Sequence, residues 1–200
     1  PEAGCCGAVN YHLSEHEKGL ERRGQNIEAW WPAMEAGAEA IIMTASGCGA
    51  MVQDYGHLLK DDPVYAAKAQ KVSELCTDLG AFLLKQDLEK LKVRQDPGKV
   101  AFHCPCTLQH AMKQNGVVEQ VLTRAGVNLA ATKDKHLCCG SAGTYSVTQP
   151  EMSQKLLGNK LKALTVDNPD RIVTANIGCQ MHLATKTPVP VQQRLYALAP

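Results

Sequence analysis

The chain has no excess charge of either sign and no long apolar run. Its 200 residues include 21 basic and 20 acidic side chains, which leaves a formal net charge of +1. A balance this close to neutral, without a block of Lys and Arg, gives no electrostatic footprint for nucleic acid or for an anionic membrane surface. The apolar stretch 38–45 contains Glu39 and is far shorter than the roughly 20 residues that cross a bilayer. We therefore expect no nucleic-acid partner and no transmembrane segment.

Motifs for independent catalysis are also missing. No Ser/His/Asp arrangement and no pair of carboxylates stands out, and Gly140-x-x-Gly143 lacks the lysine and the spacing of a phosphate-binding loop. Aromatic residues make up only 4% of the chain and do not alternate with a basic stripe. The 44% of hydrophobic residues nevertheless suffices for a buried core. We expect a folded protein that performs no reaction by itself.

Cysteine is the residue that stands out, with nine copies. The triplet Cys-Cys-Gly occurs twice, as Cys5-Cys6-Gly7 and Cys138-Cys139-Gly140. Another cysteine follows each triplet at a similar distance, since Cys48 lies 42 residues after Cys6 and Cys179 lies 40 residues after Cys139. Neighbouring cysteines rarely bond to each other, because the tight ring strains the disulfide, and the rest of the composition is typical of a cytoplasmic protein. We interpret the thiols as reduced ligands of a duplicated metal site.

Alternating helical and extended patterns predict the fold class α/β, with two similar parallel α/β halves. Strands are predicted at 40–44, 99–103, 127–131 and 171–175. Helices are predicted at 14–36, 50–60, 64–84, 107–125 and 150–164. The charged segment 85–98 separates the halves, which gives the domains 1–92 and 93–200.

Four cysteines directly follow predicted strands: Cys48, Cys104, Cys106 and Cys179. Alternation of strands and helices is typical of parallel sheets, whose connections place all strands in the same direction. Such folds collect their functional sites at the carboxyl edge of the sheet. The sequence therefore predicts that these cysteines lie at the carboxyl edges of the two sheets.

The second half offers up to five thiolates, from Cys104, Cys106, Cys138, Cys139 and Cys179. Thiolate-dominated sites favour zinc, copper(I) or iron–sulfur clusters over hard cations. Five sulfurs exceed the four that a structural zinc needs, and vicinal cysteines differ from the usual Cys-x2-Cys knuckle. An iron–sulfur cluster accounts for the excess better, because it presents several irons. Zinc stays open as the alternative, and so does the type of cluster.

Specific motifs carry a family resemblance over nearly the whole chain. They are the stretches 4–9, 27–32, 103–110, 137–145 and 174–180. These stretches resemble the CCG cysteine-rich domains of heterodisulfide reductases and their relatives. Within that group they resemble the iron–sulfur subunits of bacterial glycolate oxidases.

The resemblance implies an electron-transfer subunit of a 2-hydroxy-acid oxidase. Partner subunits that carry FAD would oxidise glycolate to glyoxylate, and the cysteine-rich subunit would pass the electrons toward a respiratory acceptor such as quinone. The implied location is the cytoplasm, with a peripheral position at the inner face of the cytoplasmic membrane as an option. Lactate is the alternative substrate. A structural docking subunit with zinc or free thiols is the alternative function.

The resemblance also implies a ligand set. The expected ligands of the cluster are Cys106, Cys138, Cys139 and Cys179. Further candidates are Cys104, His182, Cys5, Cys6 and Cys48. Met51 and His182 stand where relatives carry the last cysteine of a Cys-x2-Cys motif, so we expect the working centre in the second half.

Three other side chains receive less direct roles. His103 and His110 flank the Cys104-Pro105-Cys106 segment and are expected to support the ligands through hydrogen bonds or to pack beside the centre, rather than to ligate. Cys76 is expected to be a core thiol in the middle of a helix.

The chain opens with Pro1-Glu2-Ala3-Gly4 and reaches Cys5 without a preceding element. Members of the resembled group carry a ferredoxin-like half with two four-cysteine motifs, and no Cys-x2-Cys-x2-Cys run occurs in these residues. We therefore expect the chain to be part of a longer protein. The repeat predicts a further cysteine upstream of Cys5, as the counterpart of Cys106.

Overall fold

A computed structural model describes residues 2–88 and 98–198. The contacts divide the chain into a first unit that ends at Leu79 and a second unit that begins at Gly80. The predicted domain boundary between residues 92 and 93 lies outside the described residues. Each unit contains parallel strands and helices, which confirms the predicted fold class and the duplication.

The first unit has a two-stranded parallel sheet within the described residues. Strand β1 (Ile41–Met43) pairs with β2 (Cys76–Asp78). The helices are α1 (Ala8–His12), α2 (His16–Glu35), α3 (Ser46–Gln53), α4 (Tyr55–Leu58) and α5 (Ala66–Leu75), and α6 (Leu79–Leu84) begins at the unit boundary. The core is built from Ile27 of α2, Val52 of α3, Tyr55 of α4 and Val72 of α5. Apolar faces of four helices thus meet beside the sheet.

The second unit has a three-stranded parallel sheet within the described residues. Strands β3 (Val100–His103), β4 (Arg171–Thr174) and β5 (Val191–Gln193) pair in that order, with β4 in the centre. The helices are α7 (Val117–Arg124), α8 (Tyr145–Thr148), α9 (Pro150–Leu164) and α10 (Ile177–Ala184). A π-helical segment, Thr107–Ala111, follows β3, and a 3-10 helix, Arg194–Ala197, follows β5. Leu157 of α9, Ile172 of β4 and Leu183 of α10 form part of the core.

The single helix predicted over 64–84 is wrong. The chain there forms α5, then β2, then α6. The apolar spacing fits one continuous helix, but residues 76–78 pair with β1 in parallel register, from Ile41 with Cys76 to Met43 with Asp78. Tertiary pairing has overridden the local pattern. Cys76 therefore opens a strand instead of lying within a helix, although its thiol is buried as expected.

The predictions over 107–125 and 127–131 also fail in part. The π-helical segment and α7 replace one helix, because Gly116 takes a left-handed φ of 74° directly before α7. The Asn115-Gly116 dipeptide, a common turn signal, could have predicted this break. Segment 127–131 runs beside β3 but forms only an isolated bridge between Val100 and Leu129. It is therefore not a full strand.

Candidate metal centre

Four cysteines of the second unit meet beyond the carboxyl ends of β3 and β4. Cys106 follows β3 directly before the π-helical segment, and Cys179 lies in the first turn of α10, which follows β4. Cys138 and Cys139 come from the loop that precedes α8. Because β3 and β4 are parallel neighbours, their carboxyl ends meet at one edge of the sheet. The predicted position of Cys106 and Cys179 at that edge is confirmed, and the loop before α8 adds Cys138 and Cys139.

The four thiols form a continuous chain of contacts. The sulfur of Cys138 is hydrogen-bonded to the thiols of Cys106 and Cys139, and Cys139 is also hydrogen-bonded to Cys179. The bonds from Cys106 and Cys139, helped by the amide of Gly140 at an N···S distance of 3.3 Å, lower the pKa of Cys138 to about 2. The same bonds, together with burial, raise the pKa values of Cys106 and Cys139. Among these sulfurs the thiolate form is most favoured at Cys138, and a metal that binds the group would displace the protons of the neighbouring thiols.

His103 provides a nitrogen atom at the same place. One of its ring nitrogens and the sulfur atoms of Cys139 and Cys179 all lie within 4.8 Å of one another. Nδ1 of His103 lies 2.8 Å from Oγ1 of Thr174, and the residue is only 1% exposed. Burial, and then the charge of Lys160, lower the pKa of His103 to about 3, so the imidazole is neutral. A neutral ring anchored at one nitrogen can present the other to a metal or a thiolate.

The sequence pattern predicted His103 beside the centre, but it did not predict that a ring nitrogen would lie this close to the sulfur atoms of Cys139 and Cys179. Its place as the last residue of β3, directly before Cys104, is the signal that could have located it at the carboxyl edge. His110, which received the same expectation, is exposed on the π-helical segment.

Cys104 and His182 stand apart from the chain of four thiols. Burial raises the pKa of Cys104 to about 12, and the next influences are charged side chains such as Glu119 rather than another thiol. Nε2 of His182 lies 3.1 Å from Oγ of Ser153. That hydroxyl donates a 2.8 Å hydrogen bond to the carbonyl oxygen of Gly140. His182 therefore contacts the Cys-Cys-Gly turn through Ser153.

Glycine is required at position 140 for two reasons. Its φ is 90°, in the left-handed region that residues with a Cβ rarely adopt. A Cβ there would lie 2.5 Å from the backbone oxygen of Ser153 in α9. The close contact between this turn and α9 holds Cys138 and Cys139 in place.

Helix α9 also directs a lysine at the cysteine loop. Lys160 is 1% exposed, and its Nζ donates hydrogen bonds to the backbone oxygens of Lys135 at 2.9 Å and Asp134 at 3.5 Å. Burial lowers the pKa of Lys160, while the thiols of Cys106 and Cys104 act in the opposite direction. A buried ammonium is thus a neighbour of the thiol group.

The cysteines of the first unit form a smaller group. The thiol of Cys6 hydrogen-bonds the sulfur of Cys48, which lowers the pKa of Cys48 to about 7. That bond and burial raise the pKa of Cys6. Cys5 is exposed, and Met51 is buried in the core. The structure thus brings Cys6 and Cys48 together, but it gives this unit a pair of interacting thiols instead of a chain of four.

Two polar side chains fix the first Cys-Cys-Gly turn. Oη of Tyr55 donates to the backbone oxygen of Cys6 at 2.9 Å, and Nδ2 of Asn26 donates to that of Cys5 at 2.9 Å. A cleft of about 320 Å³ opens beside this turn. Its wall includes Trp30 as well as the cysteines of the pair.

Comparison with known sequences accounts for both units. The sequence model of the cysteine-rich domain (CCG) family matches residues 1–53 and 100–184, which together make up more than half of the chain. The chain belongs to the CCG cysteine-rich domain family. Each matched range contains one Cys-Cys-Gly triplet, so the family's domain is present twice.

The names of several curated relatives of this CCG protein refer to the metabolism of 2-hydroxy acids. It is 61% identical over 184 residues to the "Glycolate oxidase iron-sulfur subunit" of Escherichia coli (strain K12), which covers 92% of this chain and 45% of that protein. It is 34% identical over 185 residues to the "Probable glycolate oxidase iron-sulfur subunit" of Bacillus subtilis (strain 168), covering 92% of this chain and 41% of that protein. The resemblance found in the motifs is confirmed.

A more distant group has a different name. The "Lactate utilization protein A" of Shouchella clausii (strain KSM-K16) is 26% identical over 185 residues, covering 90% of this chain and 73% of that protein. The chain spans less than half of the length of the two glycolate oxidase relatives. Among the described helices, none combines the length and the apolar character needed to cross a bilayer.

Proposed function

We propose that this chain is the cysteine-rich part of the electron-transferring iron–sulfur subunit of a glycolate oxidase. The observation that carries the proposal is the chain of four thiol contacts at one sheet edge, from Cys106 through Cys138 and Cys139 to Cys179. The names of the two glycolate oxidase relatives support the substrate and the cofactor.

The residues present fit an iron–sulfur centre. Four adjacent sulfur donors form a soft ligand set, hydrogen bonds favour the thiolate form of Cys138, and the buried Lys160 lies nearby. Cys106, Cys138, Cys139 and Cys179 would hold the centre, which supplies one-electron transfer when bound. His103 would stand beside it as a neutral nitrogen donor or hydrogen-bond donor. Cys104 and His182 would support the loops instead of ligating.

In this proposal the chain's residues position the centre and limit its contact with water. Cys139 is 2% exposed and His103 is equally buried, so both form the floor of the site. Cys106, Cys138 and Cys179 are half-buried and form its open side. Electrons can leave through that open side, because a partner can approach the thiols there.

The remaining roles belong to other proteins of the complex. Subunits with FAD oxidise the 2-hydroxy acid, and a respiratory acceptor such as quinone receives the electrons. We place the complex in the cytoplasm, peripherally at the inner face of the cytoplasmic membrane. We also propose that the chain consists of two cysteine-rich halves, 1–92 and 93–200. The second half holds the centre.

The test uses the intact protein, purified anaerobically with its flavin-containing partners. We expect iron and acid-labile sulfide, with visible absorption that bleaches when glycolate is added. Stoichiometric zinc without sulfide would contradict the proposal and favour a structural docking role.

Lactate is a second candidate substrate, because proteins named for lactate utilisation are among the relatives. The same preparation is therefore treated with lactate in parallel. Bleaching by lactate and not by glycolate would retain the electron-transfer role and change the substrate.

A further inference from the structure

Helices α2 and α9 share one pattern of buried positions. Buried residues of α2 include positions 19, 23, 26 and 27, and those of α9 include positions 153, 157, 160 and 161. The spacing is the same, and the first position of each set lies against the glycine of a Cys-Cys-Gly triplet. The backbone oxygen of Gly19 would lie 3.0 Å from a Cβ at Gly7, and that of Ser153 would lie 2.5 Å from a Cβ at Gly140.

Asn26 of the first unit and Lys160 of the second are therefore counterparts. Both are 1% exposed, and both donate a hydrogen bond of 2.9 Å to a backbone oxygen near the vicinal cysteines, that of Cys5 or that of Lys135. The amide side chain is neutral, whereas a lysine side chain carries a positive charge when it is protonated. The two helices thus present a neutral and an ionisable side chain at equivalent positions, each bonded to the backbone on the approach to or within a Cys-Cys-Gly turn.

A buried charge is costly unless an opposite charge compensates it. The hydrogen bonds that Lys160 makes within the described part of the chain go to the backbone oxygens of Asp134 and Lys135, which carry no net charge. The loop that accepts these bonds leads within three residues to Cys138 and then to Cys139. The charge of Lys160 also lowers the pKa of His103, whose ring nitrogen lies within 4.8 Å of the sulfur atoms of Cys139 and Cys179. Thiolate ligands bring negative charge to this place when a metal displaces their protons.

We propose that Lys160 is the charge-compensating residue of the iron–sulfur centre, and that its buried ammonium raises the reduction potential of that centre. The inference rests on the proposed function, because it assumes a centre held by the four thiols. Reduction adds one negative charge, so a fixed cation nearby stabilises the reduced form more than the oxidised form.

Lys160 takes no chemical part in the transfer. One electron enters from the reduced flavin of the partner and one leaves to the acceptor, and no bond forms or breaks at Nζ. Lys160 acts on the centre through its electric field, and it positions the 134–135 loop through its hydrogen bonds. The first unit carries the neutral Asn26 at this position. Its buried cation on the same helix, Arg23, lies about one turn earlier, at the position that Leu157 occupies in α9.

Three variants of the intact complex separate charge from shape. Lys160→Gln keeps an N–H donor and removes the charge, Lys160→Arg keeps the charge, and Lys155→Gln removes an exposed lysine of the same helix as a matched control. Iron and sulfide are measured first. The reduction potential is then measured by anaerobic titration followed in the visible spectrum.

We expect Lys160→Gln to retain iron and sulfide and to shift the reduction equilibrium about tenfold toward the oxidised form, which is a potential about 59 mV lower for one electron. Lys160→Arg and Lys155→Gln should keep the wild-type potential. An unchanged potential in Lys160→Gln would overturn the inference.

If Lys160→Gln loses its iron, the Lys160→Arg variant tests whether the charge matters. Full iron content and a wild-type potential in that variant would support a role of the charge, while equal loss would assign the effect to shape and overturn the inference. Wild-type protein without iron and sulfide would reject the proposed function itself. Wild-type protein with both, together with an unshifted Lys160→Gln, would reject only the role of Lys160.

Discussion

The two Cys-Cys-Gly turns share a backbone arrangement and differ in the side chains around it. Both glycines have a left-handed φ, 81° for Gly7 and 90° for Gly140, and each lies against a long helix of its unit, α2 for Gly7 and α9 for Gly140. Asn26 of α2 donates to the backbone oxygen of Cys5 in the first turn, whereas Lys160 of α9 donates to that of Lys135, in the loop before Cys138. The same turn geometry is thus set in two different side-chain environments.

The number of interacting sulfurs differs as well. The first unit joins the thiols of Cys6 and Cys48, whereas the second joins four thiols and adds the imidazole of His103. Donor number distinguishes the units, while the turn geometry is common to both. Each unit buries a cation on the helix that contacts its turn, Arg23 in the first unit and Lys160 in the second, and the two cations occupy different positions. The following predictions test this distinction.

The largest effect is expected from removing a thiol of the second triplet. Cys139→Ser should lose most of the bound iron and sulfide and stop electron flow from glycolate, because it interrupts the chain of four sulfur contacts. Cys6→Ser should retain most of both, and Cys76→Ser serves as a control for loss of a buried thiol. Iron and sulfide per protein are the measurement. Equal losses in Cys6→Ser and Cys139→Ser would remove the distinction between the units.

Replacing Gly7 or Gly140 by alanine should destabilise the two turns by different amounts. Gly140→Ala should lower the local free energy of unfolding by about 3 kcal/mol, and Gly7→Ala by about 1 to 2 kcal/mol. Both force a Cβ into a left-handed backbone, but the Cβ at 140 lies closer to a backbone oxygen, 2.5 Å against 3.0 Å. Hydrogen exchange at each turn gives the two values. A larger cost at Gly7 would contradict the ranking.

The thiol pair of the first unit should show a distinct pH dependence. The pKa of Cys48 is lowered to about 7, so its reactive thiolate fraction rises as the pH passes through 7, while the buried Cys76, with a pKa of about 12, stays protonated. Alkylation followed residue by residue with mass spectrometry should show this midpoint for Cys48. In Cys6→Ala the midpoint should move toward the ordinary thiol value, because the hydrogen-bond donor is gone. A midpoint unaffected by that variant would refute the assigned cause.

The smallest effects concern single hydrogen bonds to the two turns. Tyr55→Phe removes the 2.9 Å bond to the backbone oxygen of Cys6, and Ser153→Ala removes the 2.8 Å bond to that of Gly140. Each should cost about 1 kcal/mol of local stability. Hydrogen exchange should show the loss only in the unit that carries the substitution. A loss that spreads to the other unit would mean that the turns are coupled.

Strong local patterns explain which elements could be predicted from the sequence. The strands at 40–44, 99–103 and 171–175 and the helices at 14–36 and 150–164 match β1, β3, β4, α2 and α9 within a few residues. Strand β2 could not be predicted, because its three residues lie within a helical apolar spacing and become extended by pairing with β1. Pairing partners distant in sequence leave no local signal.

The site follows the same division. The repeated triplet and the ends of the strands place the four cysteines together, and their role as ligands stays a prediction. Lys160 had a visible signal, since it occupies the apolar face of α9 between Leu157 and Leu164. The hydrogen-bond acceptor of Lys160 could not be predicted. It is the backbone oxygen of Lys135, which lies in a loop without a regular sequence pattern.

The open side of the thiol group has a consequence for handling the protein. Three of the four sulfurs are half-buried while Cys139 and His103 are sealed beneath them. Dissolved oxygen and chelators can therefore reach the site while the chain stays folded. The lifetime of bound iron would then depend on solutes and not on folding stability, and an intact, well-folded sample could be colourless after a day in air.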